Sequence, residues 1–524
     1  MPSVDVAWLL AQPGQSPALA NQRICLQGSV IESVQPLATA PAGPRRLAMP
    51  ALCNAHDHAR TFRSATLGAF GQPLESWLPF LGVLPGADPY LCAATSFARS
   101  VRQGVARLMV HYTRVQGGMP YVEEALAVAR AARDVGVHIG FAVSMRDRRG
   151  IGLAEDAAML AALRSELRAP VAQRLTAPAH SPATQLAIVE DLAQALQAAP
   201  DLASHTTLQY GPSGVQWCST ALLEAIAQAS AQHQRPVHMH LLETRYQRDW
   251  CDQVHPGGVL PYLDQIGLLS PRLTLAHCTW ARPEELALLA ERGVTIAVNT
   301  SSNLGLKSGI APLAEMLRQG CKVAMGLDGM ALDEDDDALR EMRLAFALHR
   351  GWGFETEMTP AQLWQFAACT GRHSVTGSTF GESGGADNSN SNSKGNGNGN
   401  GNGNGNSGVA PGGSITPGAS ADLVVLDWDA LDDDPLFDDI DPLSLLLARG
   451  RGSFIDEVII GGRCVVRAGQ LVGLDEAALR AELLQQVRSR LAAAPEFLAW
   501  RQQLELVAED LGPFYRGRAW LGCC

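Results

Sequence analysis

The sequence predicts an α/β protein, a (β/α)8 TIM-type barrel with a small β-sandwich built from the N- and C-terminal segments. Over residues 51–380, short apolar runs alternate with stretches that carry an apolar residue every three or four positions. This repetition is typical of a parallel sheet covered by helices. About eight such units over roughly 300 residues favour a closed barrel. Strand-like runs at both ends of the chain predict the sandwich.

Composition and charge narrow the class of protein. The chain has 524 residues, of which 46% are hydrophobic and 18% are charged, and its net charge is −12. This length allows a large catalytic domain and a smaller one, whereas the acidic balance argues against a nucleic-acid-binding face. The eleven cysteines stand singly apart from the terminal Cys523-Cys524, which favours reduced thiols over a disulfide framework.

Residues 1–12 contain an apolar stretch without a basic segment before it, which argues against a secretion signal. No apolar run reaches the ~18 residues that a membrane span needs. The Cys523-Cys524 tail does not match the usual prenylation pattern, because that pattern continues beyond its cysteine. We therefore expect a cytoplasmic protein that binds neither a membrane nor nucleic acid.

The pattern of apolar residues predicts individual strands and helices over residues 1–380. Residues 1–50 predict the N-terminal part of the sandwich, and residues 51–380 predict the barrel. The apolar runs that predict barrel strands are Val105–Val110, Val137–Val143, Thr206–Tyr210, Val237–Leu241, Leu273–Ala276, Val294–Val298 and Lys322–Gly326. The stretches between them that predict helices include Val122–Val135, Thr220–His233, Pro283–Arg292 and Ile310–Gln319.

The pattern changes after the barrel region. Residues 381–415 consist largely of Gly, Asn and Ser, and such a segment cannot bury enough apolar area to offset its ordering entropy. We expect a flexible linker there, where an insertion costs little. Residues 416–475 again read as strands and predict the C-terminal part of the sandwich. Residues 476–524 predict a C-terminal helical segment.

Four acid–base fragments each stand at the end of a strand-like run. They are His56-Asp57-His58, the stretch from His238 to Glu243, Ala276-His277-Cys278 and Gly326-Leu327-Asp328-Gly329. A (β/α)8 barrel assembles its site from the C-terminal ends of its strands, so we expect these side chains to meet. Neutral imidazoles with a carboxylate suit a borderline divalent cation such as zinc.

The first two fragments suggest metal ligands. In a strand, residues i and i+2 point to the same face, so His56 and His58 can reach one ion. Either His238 or His240 could be a further ligand. We prefer His240, because it ends its strand and because of its spacing to Glu243. A carboxyl group just beyond that strand can carry a proton between water and substrate.

The last two fragments allow more than one role. His277 could be a fourth nitrogen ligand, or it could orient the attacking oxygen. Asp328 could bind the metal and accept a proton from water, or it could cap the following helix.

The set of fragments resembles the amidohydrolase superfamily, and within it the cytosine deaminase-like branch, which contains S-adenosylhomocysteine- and guanine-type deaminases and triazine hydrolases. That branch has His-x-His on the first barrel strand, His-x-x-Glu on the fifth, His on the sixth and Asp on the eighth. Supporting matches include Pro50-Ala51-Leu52, Ser301-Ser302-Asn303-Leu304, Gly309-Ile310-Ala311-Pro312 and residues 417–424. The likeness spans almost the whole chain except the linker and the last helices.

The resemblance implies a set of roles. His56, His58, His240 and Asp328 would hold one divalent ion, usually zinc and sometimes iron. Glu243 would transfer a proton to a ring nitrogen, and His277 would orient the attacking oxygen. Asp328 would also take a proton from water and later pass one to the leaving amine. Barrels of this family commonly dimerise, so the expected oligomer is a homodimer.

Lysine usage predicts a single metal ion. Related enzymes with two ions use a carboxylated lysine near the end of the fourth barrel strand. Here that strand should be Thr206–Tyr210, and neither it nor its loop contains a lysine, since the chain's lysines are Lys307, Lys322 and Lys394. We therefore predict a mononuclear site.

The candidate substrate contacts depart from the resemblance. Where relatives often carry a His in the loop after the fourth strand, this chain has Ser213, followed by Gln216 and Trp217. Trp217 could stack on a flat ring and Gln216 could read a ring edge, or both could be structural. Gln72, in the loop after the first strand, and His111, at the end of the second strand, are further candidates.

These observations lead to one main functional hypothesis. The chain would be an aminohydrolase that replaces an exocyclic amine on a nitrogen heteroaromatic ring. The same machinery could instead remove chloride or an alkylamine from a triazine-like ring, or hydrolyse a cyclic amide. A hypothesis of a different class is a non-catalytic assembly protein on this fold, but such descendants lose metal ligands that are present here.

Overall fold

The computed structural model describes residues 2–148, 150, 152–175, 180–329, 334–377, 412–518 and 521. Most of the predicted linker, residues 381–411, lies outside the described residues, as does the Cys523-Cys524 tail. The division of the chain at residues 50, 380, 415 and 475 therefore stays a prediction.

The strands are numbered in chain order. They are β1 Ser3–Leu9, β2 Leu19–Gln27, β3 Val30–Pro36, β4 Arg46–Pro50, β5 Leu52–Asn54, β6 Val105–Tyr112, β7 His138–Met145, β8 Thr206–Pro212, β9 Val237–Leu241, β10 Leu273–His277, β11 Thr295–Val298, β12 Lys322–Met325, β13 Leu423–Asp427, β14 Ile455–Ile460, β15 Arg463–Arg467 and β16 Gln470–Leu471.

The α-helices are numbered in the same way. They are α1 Ser64–Leu67, α2 Leu74–Trp77, α3 Pro89–Arg102, α4 Tyr121–Val135, α5 Asp156–Ala162, α6 Ser165–Leu175, α7 Pro182–Gln197, α8 Pro200–Ala203, α9 Thr220–His233, α10 Arg245–Val254, α11 Val259–Gln265, α12 Pro283–Glu291, α13 Thr300–Gly305, α14 Leu313–Arg318, α15 Ala338–His349, α16 Pro360–Trp364, α17 Thr370–Thr376, α18 Trp428–Leu431, α19 Pro442–Arg449, α20 Glu476–Ala493 and α21 Glu496–Arg516. Short 3₁₀ turns cover Leu78–Gly82, Val215–Trp217 and Gly452–Phe454, and a π-helical turn, Gln365–Cys369, joins α16 to α17.

The predicted parallel barrel is confirmed. Within the described residues, β5 to β12 pair side by side in chain order, and their pairing is parallel. The amide of Ala55 donates to the carbonyl of Met325 at 2.7 Å, and the amide of Asp328 donates to the carbonyl of His56 at 2.8 Å. These bonds join the end of the last strand to the end of the first, so the C-terminal ends of the strands form a ring.

One predicted helix is shorter than its apolar pattern. The pattern predicts a helix over Ile310–Gln319, whereas α14 begins at Leu313. Pro312 precedes it, and a proline disfavours the helical conformation for the residue before it. The helix therefore cannot extend back to Ile310.

A separate sheet from the two chain ends is also confirmed. Its strands form one hydrogen-bonded series in the order β16-β15-β14-β13-β4-β1-β2-β3. The amide of Ile31, which lies in β3, donates to the carbonyl of Ala419, just before β13, at 2.8 Å. The edge strand β3 therefore meets the segment that leads into the middle of the series, and the series bends over its own apolar core. Val6, Ile24 and Val425 are buried in this core, where alternate residues of each strand face inward.

A buried carboxylate fastens the sheet to the barrel. Asp422, which precedes β13, accepts hydrogen bonds from Arg107 of β6 at 2.8 Å and from Arg372 of α17 at 2.7 Å. The amide of Gly461 donates to its other oxygen at 2.7 Å. Although burial opposes the shift, the two guanidinium charges lower the pKa of Asp422 to about 2. The carboxylate is thus ionised and fully hydrogen-bonded.

Among the described residues, none of the helices combines the length and apolar character needed to cross a bilayer.

Candidate metal centre and active site

Four of the predicted ligand side chains meet at the C-terminal ends of β5, β9 and β12. Nε2 of His58 lies 3.3 Å from Nε2 of His240 and 3.2 Å from Oδ1 of Asp328. Nε2 of His56 lies 3.5 Å from the same oxygen. All four residues are buried. The sequence fragments that lie far apart in the chain are therefore brought to one point.

Hydrogen bonds fix the tautomers of two imidazoles. Nδ1 of His58 lies 2.7 Å from the carbonyl oxygen of His111, and Nδ1 of His240 lies 2.7 Å from the carbonyl oxygen of Ser213. A carbonyl only accepts, so both Nδ1 atoms carry the proton. The Nε2 lone pairs then face the centre, which is the arrangement that a metal-binding histidine has.

The donor set fits a divalent metal ion. Neither ring nitrogen of His56 has a hydrogen-bond partner among the described residues, although both nitrogens are buried. Two ligand atoms on one tetrahedral zinc ion stand ~3.3 Å apart when each is ~2.05 Å from the metal. The separations of 3.2–3.5 Å between donor atoms match this value.

His238, the alternative to His240, lies one pleat further from the strand end. Its ring stacks on that of His56 with centroids 4.9 Å apart, and its Nε2 lies 3.3 Å from the carbonyl oxygen of Ala55. It therefore packs beneath the ligand cluster, and the geometry favours His240 as the ligand.

The backbone around the cluster is strained. Ala59, Leu242, His277 and Asp328 all have positive φ angles, of 52°, 54°, 78° and 58°. Residues other than glycine adopt this region at a cost of order 1–3 kcal/mol each, and such residues concentrate at functional sites. His277 ends β10 and Leu242 directly follows β9, whereas Ala59 and Asp328 lie in the loops after β5 and β12. The strain therefore turns the chain sharply near the positions where the ligands must point inward.

Close packing at the end of β12 requires a glycine. A Cβ atom on Gly326 would lie 2.0 Å from Oδ1 of Asn299 and 2.8 Å from Cβ of His56. The absence of a side chain here lets the strand ends approach closely enough for Asp328 to reach the histidines.

The two predicted acid–base carboxyl groups have opposite electrostatic environments. Burial alone would raise the pKa of Asp328, but the guanidinium charge of Arg60 holds it well below its usual range. Burial, together with the charge of Asp328, raises the pKa of Glu243 to about 8. At neutral pH, Asp328 is therefore ionised and Glu243 is protonated. Two carboxyl groups whose environments separate their pKa values in this way can divide the roles of base and acid.

Glu243 and His277 lie beside each other at the edge of the cluster. Nε2 of His277 is 3.5 Å from Oε2 of Glu243, and its Nδ1 is 2.9 Å from Oδ1 of Asn303. Oε1 of Glu243 accepts a long hydrogen bond of 3.5 Å from Ser308. His277 also lies close enough to His56 and His240 to join them around one ion, so both of its predicted roles stay open.

Two supporting residues were not predicted from the sequence. The carboxylate of Asp57 accepts hydrogen bonds from the amides of His58 and Ala59, at 2.7 and 2.9 Å, and from the amide of Gly329 at 2.9 Å. It thereby ties the loop after β5 to the turn after β12. Ser302 donates to Oδ2 of Asp328 at 2.5 Å and holds that carboxylate in place.

Arg60 is a further residue that sequence reasoning missed. Its Nη2 lies 3.1 Å from Oδ1 of Asp328, and its guanidinium group lies 4.7 Å from the ring centroid of Trp77. Its position two residues after His58 could have indicated a role in the site, because a charged residue so close to a strand-end ligand also faces the barrel mouth. Its partner, however, lies far away in the sequence.

The candidate substrate residues are placed as follows. The side chain of His111 is buried with neither ring nitrogen hydrogen-bonded to a described residue, and it lies 4.8 Å from the ring of His240. Ser213 shares a hydrogen bond of 2.9 Å with Ser144. Gln72 accepts from Ser76 at 2.9 Å.

The remaining two candidates hold loops together. Gln216 accepts a hydrogen bond of 2.6 Å from Gln247, whose own Oε1 accepts from the amide of Glu243. The indole N–H of Trp217 donates to the carbonyl of Gly152 at 3.1 Å. Contacts of any of these residues with a substrate stay predictions.

Comparisons with known proteins point to one family. Residues 47–374 match the family model described as the amidohydrolase family. The chain is 29% identical over 267 residues to the 5'-deoxyadenosine deaminase of Methanothermobacter thermautotrophicus, covering 51% of this chain and 54% of that protein. It is 29% identical over 348 residues to the 5-methylthioadenosine/S-adenosylhomocysteine deaminase of Nitratidesulfovibrio vulgaris, covering 66% and 69%. The chain thus spans about half the length of the deoxyadenosine deaminases that it matches.

Solved structures share the fold. An adenosine deaminase from Xanthomonas campestris with bound zinc superposes with a TM-score of 0.67 at 23% identity, over 94% of this chain and 98% of that one. A mutant atrazine chlorohydrolase from Arthrobacter aurescens, in complex with zinc and atraton, superposes with a TM-score of 0.70 at 20% identity, over 93% and 100%.

Proposed function

Because the chain belongs to the amidohydrolase family, we propose that it is a metal-dependent aminohydrolase that replaces an exocyclic amine on a nitrogen heteroaromatic ring by a hydroxyl group. The observation that carries this proposal is the convergence of the four predicted ligand side chains, with the carboxyl group of Glu243 at the edge of their cluster. Amine displacement by water needs both a base for the water and an acid for the ring.

One divalent ion completes the site in this proposal. His56, His58, His240 and Asp328 would hold it, and zinc or iron suits these donors. When bound, such an ion acts as a Lewis acid that lowers the pKa of water. We propose a single ion, because the sequence around β8 offers no lysine for carboxylation.

Proton transfers by the chain's own residues then follow from the electrostatics. Glu243 is protonated at neutral pH and donates its proton to a ring nitrogen of the substrate, which makes the adjacent ring carbon more electrophilic. Asp328 is ionised and accepts a proton from the attacking water. His277 lies beside Glu243 and hydrogen-bonds the attacking oxygen, which fixes its direction of approach.

The second half of the reaction returns the residues to their starting states. The water oxygen has formed a bond to the ring carbon, and the bond from that carbon to the exocyclic nitrogen breaks. Asp328 passes its proton to the departing amine, which leaves as ammonia. Glu243 recovers its proton from the ring nitrogen or from the new hydroxyl group, so the sum is ring amine plus water giving hydroxylated ring plus ammonia.

Names of the relatives suggest which substrates to try first. The curated relatives are named as deaminases of adenosine-type compounds, which supports aminated purines. Removal of chloride or an alkylamine from a triazine-like ring, or hydrolysis of a cyclic amide, are the alternatives. A cytoplasmic location and a homodimer belong to the same proposal.

Ammonia release tests the proposal directly. Protein loaded with zinc or iron would be incubated with aminated purines, pyrimidines, pterins and triazines, together with chloro- and alkylamino-triazines. Ammonia from any ring supports the deaminase. Release of chloride or alkylamine alone would move the assignment to the first alternative. Turnover of none of these compounds by protein that holds its metal would contradict the proposal.

A further inference from the structure

A cavity of about 60 Å³ adjoins the candidate metal centre. His58 and Arg60 form the side that faces the ligand cluster, and Thr113 completes this polar side. Since Nε2 of His58 belongs to the cluster and Arg60 lies 3.1 Å from Asp328, a substrate bound at the cluster borders this cavity.

The rest of the cavity wall is largely apolar. Its apolar side chains come from the loop after β5, from α3 and β6, and from one distant helix; they include Phe62, Leu67, Trp77, Leu81, Leu84 and Val487. Arg114 also reaches the wall, but its guanidinium donates to the carbonyls of Leu81 and Leu84. It therefore holds the loop in shape, and the space inside suits a hydrocarbon group.

The size of the cavity limits what can enter it. An apolar cavity of about 150 Å³ accepts benzene, so a cavity of about 60 Å³ is too small for a ring. Its volume suits an alkyl group of roughly two or three carbons. Burial of each methylene group stabilises the bound substrate by ~0.8 kcal/mol, which corresponds to a roughly fourfold change in kcat/KM per carbon.

The outer wall comes from the C-terminal helix α20. Val487 lies on this helix and is 4% exposed, and it packs with Leu483 against Ala87, Leu91 and Cys92. Hydrogen bonds fix the helix to the same loop: the amide of Asp88 donates to Gln486 at 2.6 Å, and Arg490 donates to the carbonyl of Gly86. These contacts therefore hold Val487 in a fixed position relative to His58.

We propose that this cavity is a substrate subsite for a small alkyl substituent, and that Val487 sets its depth. The subsite rests on the proposed function, since it takes one part of the ring compound whose amine is replaced at the cluster. The preferred substrate is thus an aminated heteroaromatic ring that carries a short alkyl group. The C-terminal helical segment, which contributes no residue to the ligand cluster among the described residues, determines specificity.

The test is a homologous series of substrates. The probes are 2,4-diamino-1,3,5-triazines that carry hydrogen, methyl, ethyl or propyl on the third ring carbon, and kcat/KM for ammonia release is measured for each. For the wild-type protein we expect kcat/KM to rise roughly fourfold for each carbon up to ethyl or propyl, as burial of a methylene predicts.

Two variants change the depth of the cavity in opposite directions. Val487→Phe should fill it and lower kcat/KM for the propyl compound at least tenfold, while the value for the unsubstituted ring stays within about twofold. Val487→Ala should shift the optimum to the longer chain. Leu483→Ala is the matched control, because Leu483 is buried on the same helix but does not line the cavity; it should leave the order of the series unchanged.

The outcomes separate the subsite from the function. A flat series in the wild type, or equal losses on all compounds in Val487→Phe and Leu483→Ala, would overturn the subsite while leaving the deaminase in place. No turnover and no calorimetric binding of any compound by metal-loaded wild-type protein would overturn the subsite together with the proposed function for this ring class. The subsite is supported if the order of kcat/KM along the series changes in Val487→Phe and in Val487→Ala but not in Leu483→Ala.

Discussion

The Nε2 atoms of His58 and His240 face each other at 3.3 Å, across two rings that lie parallel within 1°. Each ring donates its Nδ1 proton to a backbone carbonyl, so neither Nε2 can donate to the other. Two lone pairs this close repel each other unless a cation lies between or beside them. The pair is therefore the clearest structural sign of a metal centre.

Asp57 supports that centre from outside the ligand set. An Asp57→Asn substitution keeps one accepting oxygen but places an amide N–H against backbone N–H groups of the loops after β5 and β12. Because partners that orient ligands typically contribute 10–100-fold to metal affinity, we expect zinc affinity to fall by about that factor. Competition with a metal-binding dye would measure it.

A matched control is available for this change. Asp147 accepts from the amide and the hydroxyl of Ser219, each at 2.6 Å, away from the ligand cluster. Asp147→Asn should destabilise the fold to a similar degree and leave zinc affinity unchanged. Equal affinities in wild type and Asp57→Asn would show that the loops hold their shape without the carboxylate.

Glu243 is the proposed acid, and it is not in the ligand set. Glu243→Gln keeps the shape of the side chain but removes the transferable proton, so kcat should fall by ~10²–10⁴ while the metal content per subunit stays at the wild-type value. Stopped assays of ammonia release, with elemental analysis of the same samples, would measure both. Full activity in Glu243→Gln would remove this residue from the mechanism.

Glu75 gives a prediction for the dependence of stability on pH. Burial raises the pKa of Glu75 from its ordinary value of 4.5 to about 7, although the hydrogen bond from Thr244 opposes the shift. The folded state therefore binds the proton more tightly than the unfolded state, so this group costs stability as the pH rises from about 4.5 to about 7.

The substitution Glu75→Gln removes that cost. The melting temperature of Glu75→Gln, relative to the wild type, should rise between pH 5 and pH 7 and then level off, as differential scanning calorimetry would show. A difference that does not change with pH would mean that the carboxyl group is solvated in the folded protein.

Asp422 predicts the opposite behaviour. Its pKa is lowered to about 2 by Arg107 and Arg372, so its contribution is present above the unfolded value near 3.8 and is lost as the pH falls through about 2. Asp422→Asn leaves two buried guanidinium groups without their carboxylate and should cost about 3–5 kcal/mol at neutral pH.

Urea denaturation across a pH series would measure this contribution. The difference between wild type and Asp422→Asn should be constant above pH 5 and should shrink below pH 4. A difference that persists unchanged to pH 2 would place the origin of the effect in packing rather than in charge.

The strand-end fragments could be predicted from the sequence because both of their determinants are local. A short apolar run followed by His or Asp specifies a ligand at the C-terminal end of a barrel strand. The choice between His238 and His240 could not be settled in this way, since residues i and i+2 share a face. Only the position of β5 shows that His240, one pleat nearer the strand end, meets His58.

Contacts between distant segments explain what the sequence could not predict. Arg60 reaches Asp328, and Val487 reaches the cavity beside His58; both contacts depend on how loops and the last helices pack. The apolar pattern of residues 476–524 predicts a helical segment, but it does not say which surface that segment covers.

Metal content per subunit tests the central claim most directly. Protein purified without chelator would be analysed by inductively coupled plasma mass spectrometry, before and after reconstitution with zinc, beside a His58→Asn, His240→Asn double variant. The account predicts about one zinc or iron ion per wild-type subunit and almost none in the double variant. No bound metal after reconstitution, or two tightly bound ions per subunit, would contradict it.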